Sequence, residues 1–214
     1  MDEEITIIDA KTRNEKIKIF FVTNKKLLIS SLIILILIVL SFYSYQIYKD
    51  GHREQLSEKY NSALINYEGG DKSKTTQIMK EVIEDKDSTY SPLALYFLID
   101  NKLIKNKAEI NDLFDIIIKK TPLENEIKNL IIYKKALYNA EISSENELLD
   151  TLSPLINSKS VWKSHALYLI AEYFYSKKEE QKAKEFFKQI LGTENANQDI
   201  IKKAQKRLNR DLSE

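Results

Sequence analysis

The reactive side chains of this sequence do not form a catalytic or metal-binding pattern. There is no cysteine, and the two histidines, His52 and His165, lie far apart in the chain. A structural or catalytic metal needs several ligands that the fold brings together, usually from short sequence spacings. The neighbouring acids Glu179 and Glu180 are expected on a turn, in water. No phosphate-binding loop, nucleophile elbow or zinc-helix motif occurs. We therefore predict a protein that is not an enzyme and that uses no cofactor, metal or small-molecule substrate.

The charge balance is close to neutral, because 33 Lys and Arg face 32 Asp and Glu and leave a net charge of +1. Nucleic-acid-binding domains carry a basic surface, so no nucleic acid partner is expected. The chain has only 4 Gly and 3 Pro, few for a β-rich or disordered protein. Its many Lys, Glu, Ile and Leu residues favour an all-α fold.

An uncharged apolar run of 19 residues extends from Leu27 to Tyr45. As a helix it would be about 28 Å long, close to the roughly 30 Å of a bilayer core. Aromatic residues flank it on both sides, as they do at membrane interfaces: Phe20, Phe21, Tyr43, Tyr45 and Tyr48. A cleaved signal peptide is the alternative, but Phe42-Tyr43-Ser44 has a bulky residue where a cleavage site needs a small one. We predict an uncleaved transmembrane helix over residues 25–48.

Basic residues predict the orientation of this helix. Six precede it: Lys11, Arg13, Lys16, Lys18, Lys25 and Lys26. Three follow it within a similar distance: Lys49, Arg53 and Lys59. Because the cytoplasmic side carries the excess of Lys and Arg, residues 1–24 are predicted to be a cytoplasmic tail. The rest of the chain would then be exported.

After a predicted juxtamembrane linker at residues 49–54, with a helix break at Gly51, apolar stripes of helical spacing recur. Their first residues are 35, 38 and 35 positions apart, at Thr75, Ile110, Leu148 and Ala183. One amphipathic helix per period of this length is typical of a helical repeat array. Partner helices are predicted over residues 55–68, 92–105, 122–141 and 161–177. A last helix over residues 197–212, with one apolar and one charged side, would cap the array.

Local signals mark several helix ends. Gly69 and Gly70 predict the end of the first partner helix, and Asp71 predicts the N-cap of the next. Ser91 and Thr121 each precede a proline, which predicts an N-cap before a proline at the first helical position. Thr121 with Glu124, and Ser144 with Glu147, have the spacing of a capping box; these four residues mark two helix starts.

The fourth helix pair resembles a tetratricopeptide repeat. With Ser164 as position 1, the characteristic large, small and aromatic positions are filled by Leu167, Ile170, Ala171, Phe174, Ala183, Phe187 and Ile190. The first pair fits with a turn one residue shorter, through Tyr60, Leu64, Tyr67, Thr75, Met79 and Val82. The resemblance implies a tetratricopeptide-repeat-like α-α solenoid over residues 55–212, with about four helix pairs and a C-terminal capping helix. A generic helical bundle is the alternative.

In tetratricopeptide repeats the first helix of each pair lines a concave binding surface. The resemblance therefore implies a protein-binding surface made by His165, Tyr168, Glu172 and Tyr175. Tyrosine is common at protein interfaces, although the two tyrosines could instead pack between repeats. Trp162 is expected to pack the seam to the preceding repeat, with an interface anchor as the alternative.

The layout as a whole resembles the YfgM-type ancillary subunits of the SecYEG translocon. The likeness rests on the short tail, the single apolar helix, the Tyr-rich "EKYNSALINYEGGDKSK", "SPLALYFLIDNKLI" and the C-terminal "SHALYLIAEYFYSKKEEQKAKEFFKQIL". It implies a single-pass protein of the bacterial inner membrane with a periplasmic repeat domain. Its partners would be the Sec translocon, a membrane-anchored periplasmic chaperone and nascent exported chains. The alternatives are a structural scaffold of a cell-envelope complex and an organellar import receptor with cytosolic repeats.

Overall fold

A computed structural model describes residues 15–212, and every regular element within this range is helical. Residues 15–23 form helix α1, and α2 is Lys25–Glu68. The other helices are α3 (Lys72–Glu84), α4 (Tyr90–Asp100), α5 (Lys107–Lys120), α6 (Asn125–Asn139), α7 (Glu145–Ile156), α8 (Lys163–Ser176), α9 (Glu180–Leu191) and α10 (Gln198–Arg210). The all-α prediction is confirmed for this part of the chain.

Helix α2 contains the apolar run. It is long and apolar enough to cross a membrane, and none of its apolar stretch is buried within the protein. Of the predicted tail, residues 1–24, the first 14 residues lie outside the described part of the chain. The predicted break at Gly51 is wrong, because residues 49–54 are helical within α2. A single interior glycine costs a helix only about 0.5–1 kcal/mol, which the helix-forming neighbours can offset.

The chain divides into two compact units between Gln55 and Leu56. In the second unit, the helices from α3 to α10 each pack against the next one in sequence. Contacts also join α3 to α5, α6 to α8, and α8 to α10. This order follows from short connections, which place consecutive helices side by side.

Two apolar clusters form the core of the second unit. One contains buried residues from Leu56 to Ile131, and the other contains buried residues from Ile132 to Leu212. Helix α6 serves both, because adjacent residues of a helix point about 100° apart. The seven characteristic positions of the fourth pair are all buried, with at most 1% of each residue exposed: Leu167, Ile170, Ala171, Phe174, Ala183, Phe187 and Ile190.

Three of the predicted helix-end signals are confirmed. Gly70 ends α2 in a left-handed conformation with φ of 87°. The side chain of Asp71 accepts a hydrogen bond of 2.9 Å from the backbone N–H of Lys74. Ser144 and Glu147 form the capping box of α7, with each side chain bonded to the backbone of the other.

The two predicted caps before proline are wrong. Ser91 lies inside α4, and its hydroxyl donates to the carbonyl oxygen of Val82 at 2.9 Å. The start of α4 is instead bonded to Asp87, which accepts from the backbone N–H groups of Thr89 and Tyr90 at 2.8 Å. Thr121 is the extended residue that ends α5, and α6 begins only at Asn125. Ser91 makes a tertiary contact from inside its helix, and Thr121 belongs to the end of the preceding helix. Neither residue therefore lies at the capping position.

Candidate functional site

The four residues predicted to form a binding surface all lie on α8, and each is half-buried. The structure divides them into two groups. His165 lies among aromatic rings near α6, whereas Tyr168, Glu172 and Tyr175 surround one arginine of α10. The predicted surface is therefore partly covered by the chain's own last helix.

His165 packs against two aromatic rings. Its ring centroid is 5.1 Å from that of Trp162 and 5.8 Å from that of Tyr133. Its Nδ1 atom is buried and has no hydrogen-bond partner among the described residues. Burial lowers the pKa of His165, and the positive charge of Lys203 lowers it further. The imidazole is therefore held neutral at pH 7.

Glu172 and Arg207 form a two-pronged ion pair between α8 and α10. The Nε and Nη2 atoms of Arg207 each donate to one carboxylate oxygen of Glu172 at 2.8 Å. The remaining Nη1 donates to Asp211 at 2.8 Å. The same guanidinium lies 4.7 Å from the ring centroid of Tyr175. Only 27% of each of the Arg207 and Glu172 side chains is exposed, so water screens this pair less than a surface pair.

Tyr168 completes the group around Arg207. Its ring packs edge-on against Phe187, with 5.6 Å between centroids. Burial raises the pKa of Tyr168 to about 12, and the carboxylate of Glu172 adds to the increase. The phenol therefore stays protonated in the physiological range and offers a hydroxyl rather than a charge.

Trp162 stacks on Tyr133 of α6, with 5.9 Å between ring centroids and 19° between ring planes. Its ring therefore fills the seam between α6 and α8. This is the packing role that the sequence favoured over an interface anchor.

The structure also shows a feature that the sequence analysis missed. Four half-buried tyrosines, one on each of α2, α4, α6 and α8, are 36, 37 and 35 residues apart: Tyr60, Tyr96, Tyr133 and Tyr168. We call them the tyrosine row. Burial raises the pKa of all four, and that of Tyr96 to about 12. This row could have been found from the sequence, because each of its tyrosines precedes the first residue of an apolar stripe by 14 or 15 positions.

Ring contacts connect the helices that carry the tyrosine row. Tyr60 meets Tyr90 of α4, with 5.8 Å between centroids. The Nζ atom of Lys134, on α6, lies 3.9 Å from the ring centroid of Tyr96. Tyr133 meets Trp162 at the start of α8, as described above. The tyrosines thus lie where each of these helices meets the next one of the row.

Exposed leucines lie on the same helix sides as the tyrosine row. Leu93 is three residues before Tyr96 and 44% exposed, and Leu137 is four residues after Tyr133 and 52% exposed. Residues three or four apart are neighbours on a helix surface. The helices of the row therefore offer accessible apolar side chains next to half-buried tyrosines.

Within residues 15–212, no group of three or more His, Cys, Asp and Glu side chains could hold a metal ion. The two-pronged ion pair is occupied within the chain, and His165 is enclosed by rings. Beside the half-buried rings of the row, Leu93 and Leu137 are exposed, whereas the hydroxyl of Tyr96 is buried and has no hydrogen-bond partner among the described residues; aromatic residues are enriched at protein interfaces.

Comparison of the chain with protein families, with curated proteins and with solved structures finds no match. The resemblance to YfgM-type subunits therefore rests on the sequence layout alone.

Proposed function

We propose that this protein is a membrane-tethered protein-protein interaction module and that the tyrosine row contacts its partners. The observation that carries this proposal is the recurrence of one half-buried tyrosine on each of four helices, with Leu93 and Leu137 exposed beside it. Aromatic side chains supply large contact areas with few rotatable bonds and so bind at a low entropic cost. A partner segment lying along the row would bury apolar surface on several helices at once.

The proposed architecture of the binding unit is a tetratricopeptide-repeat-like solenoid. The complete burial of the seven characteristic positions of the last pair and the packing of each helix on the next support this reading. In such a solenoid, the end of α2 and helices α4, α6 and α8 would be the first helices of successive pairs. The tyrosine row would then lie on the concave surface that these arrays use for binding.

The proposed setting is the bacterial inner membrane, with the N-terminus cytoplasmic and the repeat unit periplasmic. The apolar part of α2 supports the anchor, and the excess of Lys and Arg before it supports the orientation. By resemblance, the protein would be an ancillary subunit of the Sec translocon that works with a membrane-anchored periplasmic chaperone on newly exported proteins. Tethering raises the local concentration of the module, so weak contacts become effective.

Site-specific photocrosslinking tests the binding surface. A photoreactive residue placed at Leu93 or Leu137 is expected to capture translocon, chaperone or nascent-chain proteins. The matched control is Leu191, which is 42% exposed on α9, outside the helices of the row. Equal capture from Leu191 would contradict the proposal. Capture of other cell-envelope proteins alone, from Leu93 and Leu137, would favour the scaffold function instead.

A reporter fused after Glu214 tests the orientation separately. A reporter that is active only in the periplasm should be active, and a cytosol-dependent reporter should be inactive. The opposite result would contradict export and would favour a receptor with cytosolic repeats.

A further inference from the structure

The helical segment before the apolar run combines basic and apolar side chains. The turn at Asn24, between α1 and α2, keeps the helical bonding: the N–H of Asn24 donates to Phe20 and the N–H of Leu28 donates to Asn24, both at 2.9 Å. The side-chain amide of Asn24 also donates to the carbonyl oxygen of Phe20 at 3.0 Å. The helical spacing of side chains therefore continues through residues 15–28.

The apolar and basic side chains of this segment lie next to each other on the helix surface. Ile17, Phe20 and Phe21 have the i, i+3, i+4 spacing of one helix side and are 49%, 55% and 58% exposed. Lys18 and Lys25 are seven residues apart, two turns along the helix, and lie three and four residues from Phe21, so they border this apolar side. In water this exposed apolar side would be unfavourable, whereas the acyl boundary of a bilayer would cover it.

The segment contains four lysines, which we call the lysine cluster: Lys16, Lys18, Lys25 and Lys26. Glu15 is the one acid among residues 15–26. No member of the lysine cluster forms a salt bridge with another described residue. Beyond the apolar run, by contrast, acids alternate with bases over residues 49–54. Positive charge is therefore concentrated at one end of the run.

We propose that the lysine cluster binds the phosphate groups of anionic phospholipids in the leaflet next to it. This inference rests on the membrane crossing proposed above, but not on the tyrosine row. A Lys near an anionic membrane surface gains about 1 kcal/mol, or roughly fivefold in affinity. Lysine stems lie along the apolar boundary while their amines reach the headgroups. A second copy of the chain is a poor occupant, because its own lysine cluster would repel this one.

The experiment uses the full chain, purified in mild detergent and offered equal amounts of phosphatidylglycerol and phosphatidylcholine. Native mass spectrometry then counts the lipids that remain bound to the protein. We expect at least about a fivefold preference for phosphatidylglycerol. Replacing the lysine cluster, Lys16→Gln, Lys18→Gln, Lys25→Gln and Lys26→Gln together, should reduce this preference to near equality. In detergent the chain has no orientation in a membrane, so a change of orientation cannot alter the lipid preference. Circular dichroism checks that the variant remains helical.

The matched control is Lys49→Gln, at the other end of the apolar run, which should keep the preference of the unmodified chain. Equal binding of both lipids by the unmodified chain would overturn the inference. So would a preference that survives the four substitutions, or one that Lys49→Gln abolishes. A chain released from membranes by alkaline extraction would instead contradict the membrane crossing. Failure of the photocrosslinking experiment would leave the lipid result standing.

Discussion

Arg207 connects two residues of α8 to the end of α10. It bonds both carboxylate oxygens of Glu172, lies over the ring of Tyr175 and bonds Asp211, the residue that follows α10. The sequence suggested that Glu172 and Tyr175 face a partner protein. In the structure Arg207, 35 positions after Glu172, bonds this carboxylate, so the partner that we propose for the row would also meet α10 at this end.

Replacing Arg207 by Met is expected to destabilise the second unit by about 1–2 kcal/mol, because Glu172 loses its partner in a partly buried place. Urea unfolding of the full chain in detergent measures the change, with Trp162, the single tryptophan, as the fluorescence probe. The control is Arg210→Met, since the side chain of Arg210 is 62% exposed. Arg210 also donates two hydrogen bonds to Asp211, but an exposed pair contributes little to stability because water screens it, so the control should lose less stability than Arg207→Met. Equal loss in both variants would show that the two-pronged pair has no special role.

His165 should make stability depend on pH. Its pKa is lowered in the folded protein, whereas the unfolded value is about 6.5. The folded state therefore binds fewer protons than the unfolded state. The contribution of His165 to stability is fully present above about pH 6.5 and is lost as the pH falls through the lowered pKa of the folded protein. We expect His165→Phe to reduce the fall in urea midpoint between pH 7.5 and 5.5, measured by circular dichroism.

The second histidine provides the control for this experiment. His52 is exposed on α2, and His52→Gln should keep the pH dependence of the unmodified chain. If all three proteins lose the same stability between the two pH values, the buried imidazole is not the source of the effect.

Helices α6 and α7 are preceded by similar capping signals in the sequence, but only α7 is capped by them. Both helices are preceded by a threonine or serine with a glutamate three positions later. Ser144 forms the capping box of α7, whereas Thr121 is buried, extended and without a hydrogen-bond partner for its hydroxyl among the described residues. The difference lies in what precedes them: Ser144 follows a turn, but Thr121 directly ends α5.

Substitutions at these two positions should therefore differ. Ser144→Ala removes a used cap and should cost about 1 kcal/mol. Thr121→Val replaces an unpartnered buried hydroxyl with a methyl group of similar size and should be neutral or stabilising. Urea unfolding of the full chain measures both. A loss of stability in Thr121→Val equal to that in Ser144→Ala would indicate that Thr121 caps α6 after all.

In the molecule as a whole, the two apolar clusters should respond separately to damage. Each helix of the second unit contacts mainly its neighbours, so a defect is expected to spread from one helix to the next rather than through a common centre. The clusters meet at α6, through Ile131 and Ile132. Local unfolding of one end can therefore leave the other end protected.

Cavity-forming substitutions test this independence. Phe187 in the second cluster and Phe114 in the first are 0% and 1% exposed, and truncation of each to Ala should cost about 3–5 kcal/mol. In hydrogen exchange, Phe187→Ala should increase exchange in α8, α9 and α10, whereas α3, α4 and α5 keep their protection. Phe114→Ala should give the reverse pattern. Uniform loss of protection in either variant would show a single cooperative unit.

The positions of the helices could be predicted from the sequence because the information is local. The apolar stripes that begin at Thr75, Ile110, Leu148 and Ala183 each lie on an observed helix, since a spacing of 3.6 residues needs only neighbours along the chain. The cap at Ser144 involves residues three apart. The regular spacing of the tyrosine row is also present in the sequence, but only the structure shows that all four tyrosines are half-buried.

The tertiary structure decided the contacts between residues far apart in sequence. Ser91 was expected to cap its own helix, but docking brought the carbonyl oxygen of Val82 to its hydroxyl. Glu172 was expected to face a partner, but docking of α10 brought Arg207 to its carboxylate. Helix ends and stripes depend on residues within about four positions, which the sequence displays directly. Which polar groups remain free for a partner depends on how the helices pack, because packing determines which charges and hydroxyls meet.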